Sequence, residues 1–416
     1  MASQRSLRAV AAALKFCLAL RPCMPPPGTR KHRFGRPNAV CALTPEPDHS
    51  IGALQSKVAY PLYRQQAKLA LGNWEMVKHF VITRIGIGIY DKVRLTKMIE
   101  LFGAVTAPSL ANQSSQNFIH LVVTDAFIPG ECRDLLHSLL RGRPNAFLIA
   151  IDVTGLTQVH LGSFDWVWDH CQQFILENNL VENPHDYVTT SVLDADDAWQ
   201  VDVVSTVDKV ISEKLPAIDA KADERPTWTR HSSGIALTFP RGLAWFVAAN
   251  RLGLMNFGFH SMSVFITSRF SSGISCCSSR HAKWPQYAEV VQFEIVKVTG
   301  DQPMWIYSRH DEGVIRWRAD GSHPIGSEAE NKLKTLFGID LAKIRQWCSA
   351  YPAQSDSVYG GKKAAETYDL IFRIAGLNRK ISALKKAAAE GSEKLADIVL
   401  LCEGERQRMI GVLRGE

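Results

Sequence analysis

Val188-Thr-Thr-Ser-Val-Leu-Asp-Ala-Asp-Asp-Ala-Trp199 is a β-prone run that delivers three carboxylates, Asp194, Asp196 and Asp197, at its C-terminal end. In an open α/β sheet the ligand crevice lies outside the carboxyl ends of the strands, so this run puts its charge where such a fold binds. Two Asp side chains one residue apart can share a divalent cation, and hard oxygen ligands suit Mg2+ or Mn2+. The same residues also suit a turn or a helix N-cap, and at this level both meanings stand. An EF-hand is excluded, because a loop starting at Asp194 has Trp199 where Gly is needed and Ser205 where Glu is needed.

The segments around this run set the fold class. Apolar runs at 79–84, 118–125 and 146–153 read as buried strands. Between them lie helical patterns: Leu95, Met98, Ile99 and Phe102 ahead of Pro108, residues 130–141 with Leu135, Leu136, Leu139 and Leu140 inward, and residues 164–178 with Trp166, Trp168 and Phe174. Residues 186–193 make the fourth strand, followed by a helix with Val203, Val207, Val210 and Ile211 on one face. This alternation predicts an α/β fold, a parallel sheet covered by helices. Beyond residue 220 the pattern predicts strands at 235–240, 262–267, 287–298 and 304–308, an antiparallel or mixed extension carrying an acceptor-facing surface. From residue 327 it predicts helices at 331–350, 362–389 and 392–413.

The chain has 416 residues, 46% hydrophobic, with a net charge of +7. Residues 1–75 hold 11 Lys and Arg against three acids, so the basic excess sits there and the remainder is balanced. No basic face is implied, which argues against nucleic acid as a partner. The nine cysteines form no C-x-x-C pair, so neither a zinc site nor a disulfide framework is signalled, and a reducing, cytoplasmic setting is expected. Residues 9–20 are too short for a spanning helix and are interrupted by Lys15. Residues 1–75 read as a leader or a disordered extension, with a translation start near Met76 as a third reading. Their charge suits peripheral contact with an anionic membrane. Arg84-Ile-Gly-Ile-Gly-Ile-Tyr90 has Asp91 where a dinucleotide fingerprint needs its third Gly. No phosphate-binding P-loop, G-x-S-x-G elbow or H-E-x-x-H motif occurs.

His79-Phe-Val-Ile-Thr-Arg84, Leu101-Phe102, Pro108-Ser-Leu110, Gln113-Ser-Ser-Gln-Asn-Phe118, Leu121-Val-Val-Thr-Asp125, Thr189-Thr190 and Leu193-Asp-Ala-Asp-Asp197 occur in that order. As a set, closed by Pro303-Met-Trp-Ile-Tyr-Ser-Arg-His310, they resemble the bacterial rhamnosyltransferase family over about residues 78–315. One departure is Ser191-Val192, where the family commonly has Arg. The resemblance implies a metal-dependent glycosyltransferase of GT-A type, a nucleotide-diphospho-sugar transferase sheet at 76–325 with helices on both faces; the helical pattern at 326–416 lies outside it and reads as a C-terminal extension. It implies that Thr83 and Arg84 border the nucleotide and that Asp125 contacts base or ribose. Asp194 and Asp196 become the D-x-D element meeting metal and diphosphate, and Asp197 shapes the loop or the catalytic sugar site. His310 becomes a late metal ligand, and Asp311 and Glu312 candidates for the catalytic base. The implied partners are a nucleotide-sugar donor, carrying rhamnose or another deoxyhexose, and a glycan or small-molecule acceptor. Nucleotidyl transfer on a similar sheet, and a scaffold protein with a structural Asp cluster, are the competing classes.

Overall fold

The computed structural model describes residues 77–159, 164–223, 233–310, 322–352, 360–389 and 394–416. In chain order they form β1 (Lys78–Arg84), α1 (Lys92–Ala104), α2 (Thr106–Ala111), β2 (Ile119–Asp125), α3 (Gly130–Leu140), β3 (Ala146–Ile151), α4 (Asp165–Glu177), β4 (Tyr187–Val192), β5 (Ala198–Trp199) and α5 (Val203–Asp223). There follow β6 (Gly234–Thr238), β7 (Arg241–Phe246), β8 (Arg251–Asn256), β9 (Val264–Arg269), α6 (Trp284–Val290), β10 (Glu294–Lys297), β11 (Trp305–Arg309) and β12 (His323–Pro324). Four helices close the chain: α7 (Ser327–Phe337), α8 (Leu341–Ala350), α9 (Gly360–Ala389) and α10 (Lys394–Arg414). The leader at 1–75 and the base candidates Asp311 and Glu312 lie outside the described residues.

β1 is apolar along its middle because it is covered on both faces, as central parallel strands are. Phe80 and Ile82 enter one core with Trp166 and Phe174 of α4, and Val81 enters another with Val203 and Val207 of α5. That split is the period-2 alternation of a strand. The main sheet runs β10-β6-β9-β4-β1-β2-β3. β1 pairs in parallel with β2 and β4, and β2 with β3, while β9 is antiparallel to both β4 and β6. The expected α/β architecture, with a mixed extension and a helical C-terminal region, is the one observed.

A second sheet, β12-β8-β7-β11-β5, was not foreseen as a separate layer. Its hairpin β7–β8 is built on a turn with Asn250 at φ 48°. Gly242 of β7 leaves room for the Trp305 ring, which would collide with any Cβ there. β5 is only two residues long, yet its pairing with β11 brings Trp305 opposite Trp199 and so carries the end of β11 to the Asp cluster.

Three local expectations are corrected. The α1 helix ends at Ala104 rather than at Pro108, which instead lies in the first turn of α2, where a missing N–H costs little. The expected helix at 331–350 is two, α7 and α8, separated at Gly338, whose φ of 69° closes α7 as a left-handed cap. The expected strand at 287–298 begins as helix α6, with Pro285 in its first turn, and only Glu294–Lys297 is strand.

Candidate active site

Strands β2 and β3 lie on one side of β1 and β4 on the other, so the winding reverses between β1 and β4. Such a reversal opens a crevice at the carboxyl ends of the two strands. Arg84 ends β1 there, and Asp194 follows β4 by two residues. The Arg84 guanidinium donates from Nη2 to Asp194 Oδ1 at 2.9 Å, and its central carbon stands 3.8 Å over the Phe164 ring. Its Nε and Nη1 are buried with no hydrogen-bond partner among the described residues. Ser261 Oγ donates to the other Asp194 oxygen at 3.3 Å. Burial opposes the charge on Asp194, but Arg84 foremost, with smaller contributions from His260 and His281, holds the carboxyl below its usual pKa.

The Asp194–Asp197 segment is a turn, with Asp197 N donating to Asp194 O at 3.1 Å. The Thr106 hydroxyl at the start of α2 fastens it, donating to Asp197 O at 2.8 Å and to Asp194 O at 3.2 Å. Asp196 faces outward, its side chain 26% exposed, and its Oδ2 lies 2.8 Å from His310 Nε2. His310 follows β11 directly, so the β5–β11 pairing joins two residues 114 apart in sequence. Asp197 points the other way and is fully buried. Its Oδ1 accepts from Ser308 N at 2.9 Å, and its Oδ2 has no hydrogen-bond partner among the described residues.

Burial, together with the charges of Asp196 and Asp194, raises the Asp197 pKa well above the usual carboxylate value. The folded chain then keeps this proton to higher pH than the unfolded chain does. Its contribution to stability is complete below about pH 4 and is lost as pH rises toward the folded value. Asp197→Asn keeps an acceptor for Ser308 N without the charge. It is expected to raise the melting temperature at pH 7 and to flatten the decline in stability above pH 4. A melting temperature at pH 7 equal to or below that of the wild type would contradict the assignment.

Thr83 and Asp125 stand deeper than the crevice. The Thr83 hydroxyl is buried 2.9 Å from His120 Nε2. Asp125 accepts from Tyr90 Oη at 2.6 Å, Phe127 N at 2.9 Å and Gly88 N at 3.3 Å, and so ties the loop after β1 to the end of β2. Four residues not named from the sequence as site residues also reach the site: Phe164, Ser261, His260 and Tyr307, the last inside the 303–310 motif. His260 stacks on His281 with centroids 5.0 Å apart and meets Tyr307 at 4.3 Å. Burial and the neighbouring His281 push its pKa down to about 3, with Asp194 pulling the other way, so the imidazole is neutral at physiological pH. Trp284, at the start of α6, is wholly buried.

The family model described as "Putative rhamnosyl transferase" matches residues 70–319, more than half the chain. The chain belongs to the rhamnosyl transferase family. It is therefore a glycosyltransferase, and the crevice at β1 and β4 falls inside the matched region. Among solved structures, S. aureus TarS 1–349 in complex with UDP is 13% identical, with 74% of this chain and 72% of that chain covered and a TM-score of 0.32. A second S. aureus TarS structure is 9% identical, covering 82% and 55%, also at 0.32. The apo structure of the bifunctional glycosyltransferase WbbM is 11% identical, covering 53% and 35%, at 0.23. No curated protein matches this rhamnosyl transferase family member. Among its described residues no helix is long and apolar enough to cross a membrane.

Proposed function

We propose that this enzyme transfers a sugar, rhamnose or another deoxyhexose, from a nucleotide-sugar donor to a glycan or other acceptor with the help of a divalent cation. The observation that carries the reading is the meeting of Asp194, Asp196, Arg84 and His310, from three separate chain segments, at the carboxyl ends of β1 and β4. Residues 76–325 are taken as the transferase domain. The six described cysteines are free, which supports a reducing, cytoplasmic setting.

The donor set suits a hard cation. Asp196 and His310, whose Oδ2 and Nε2 lie 2.8 Å apart, with Asp194 in the same turn as Asp196, are the residues that would hold it. No group of three or more His, Cys, Asp or Glu able to hold a metal occurs among the described residues. A Mg2+ or Mn2+ ion there would be held by one or two carboxylates and completed by substrate phosphates and water. Bound there, the cation would offset the negative charge that develops on the departing nucleoside diphosphate. Arg84 adds positive charge from the other side, its guanidinium held by Asp194 and Phe164 before the donor arrives. Phe164 holds the guanidinium plane and shields it from water.

Titrating Mn2+ with a panel of nucleoside diphosphates, followed by thermal shift, tests the reading. A diphosphate at 100 times its Kd should stabilise the fold by about 2.7 kcal/mol, and only with the metal present. A panel with no metal-dependent stabilisation would sink it.

A further inference from the structure

The region matched by the family model ends at residue 319, yet the site continues beyond it. Helix α9 crosses the carboxyl ends of the parallel strands. Ile371 and Ile374 are fully buried in one core with Ile87, Val153 and Leu156, which lie in the loops after β1 and β3. Asn378 donates to Thr154 O at 3.0 Å and to Leu156 O at 2.7 Å. Gly88, at φ 67°, lies so close under α9 that a Cβ would stand 2.7 Å from Thr367 Cγ2. The glycine that fits no dinucleotide motif is therefore explained by contact with the C-terminal helix. Arg414 of α10 stacks over Phe127, just past β2, at 4.4 Å.

One residue later on α9, the Tyr368 ring meets Phe164 edge to face with centroids 5.9 Å apart, and Phe164 in turn covers Arg84. Tyr368 is 38% exposed, and none of the hydrogen bonds among the described residues involves its hydroxyl. The Arg84 and Asp194 charges both act on its phenol, so that end of the side chain lies in the field of the crevice. An aromatic donor held by its ring edge, beside a cation with two unpartnered N–H groups, completes a site for a diphosphate.

Building on the donor site described above, we propose that Tyr368 is a donor-binding residue of the transferase. Its hydroxyl donates to the diphosphate that Arg84 receives, so the C-terminal helix is a wall of the active site rather than an appendage.

The test uses the full chain and Tyr368→Phe, which keeps the ring against Phe164 and removes one oxygen. Both proteins are titrated with the same nucleoside diphosphates in Mn2+, and donor KM and kcat are measured. The melting temperature without ligand should be unchanged, while the Kd of the preferred diphosphate and the donor KM should rise about tenfold or more, the loss of a hydrogen bond to a charged group. Wild-type binding in Tyr368→Phe would overturn the assignment and leave the transferase reading intact. If the wild type itself binds no diphosphate, both fall together.

Discussion

Asp196→Ala is expected to lower donor turnover by about 100- to 1000-fold, the effect of removing one preorganised charge-stabilising group from a transferase site. The melting temperature should stay within a degree or two. Asp196 is partly exposed, and its described hydrogen bond is to His310, which follows β11 of the second sheet. Losing this single, partly exposed hydrogen bond should move stability by only about 1 kcal/mol. The contrast between the two readouts separates the catalytic meaning of the cluster from the turn meaning. A large fall in melting temperature would mark Asp196 as a structural turn residue. Turnover equal to that of the wild type would remove it from the reaction. Asp197 gives the internal control, because its fully buried carboxyl affects stability first.

The parallel half of the main sheet was readable because β1, β2 and β4 are buried on both faces. β1 and β2 appear as largely apolar runs and β4 as a β-prone one, and the charges at their ends stand out against them. Arg84 and the Asp194-to-Asp197 turn were legible for that reason. The hairpin β7–β8 was not, since Gly242 and Gly253 weaken the strand pattern and Leu254 is exposed. The β5–β11 pairing was invisible as well: a two-residue strand has no period to detect, and its partner lies more than 100 residues downstream. That pairing nonetheless decides the site, because it sets His310 against Asp196. Phe164, His260, Ser261 and Tyr368 reach the crevice through packing alone, from positions where an aromatic, a His or a Ser would otherwise pass as ordinary.

Arg84→Ala is expected to cost both activity and stability. In the native site the guanidinium pairs with Asp194, lies on Phe164 and keeps two N–H groups in reserve. Removing it should lower kcat/KM for the donor by about 1000-fold, at the upper end of the loss seen when one charge-stabilising donor is deleted. It also leaves the Asp194 carboxylate without its cation. Breaking a buried pair on one side costs about 3–5 kcal/mol. The lower end applies here, because the Asp194 side chain is still 31% exposed and water can relieve part of the loss. The pH dependence gives a second check. Arg84 holds the Asp194 pKa below its unfolded value, so the pair's contribution is present above about pH 4 and is lost as pH falls through the lowered folded pKa. The stability gap between wild type and Arg84→Ala should therefore be widest near neutrality and shrink below pH 4. Arg84→Lys restores a charge but neither the planar stack on Phe164 nor the forked donors. It is expected to recover more of the stability than of the activity. Full activity in Arg84→Lys would show that the site needs only a positive charge there, and the two reserved N–H groups would then have no part in binding the donor.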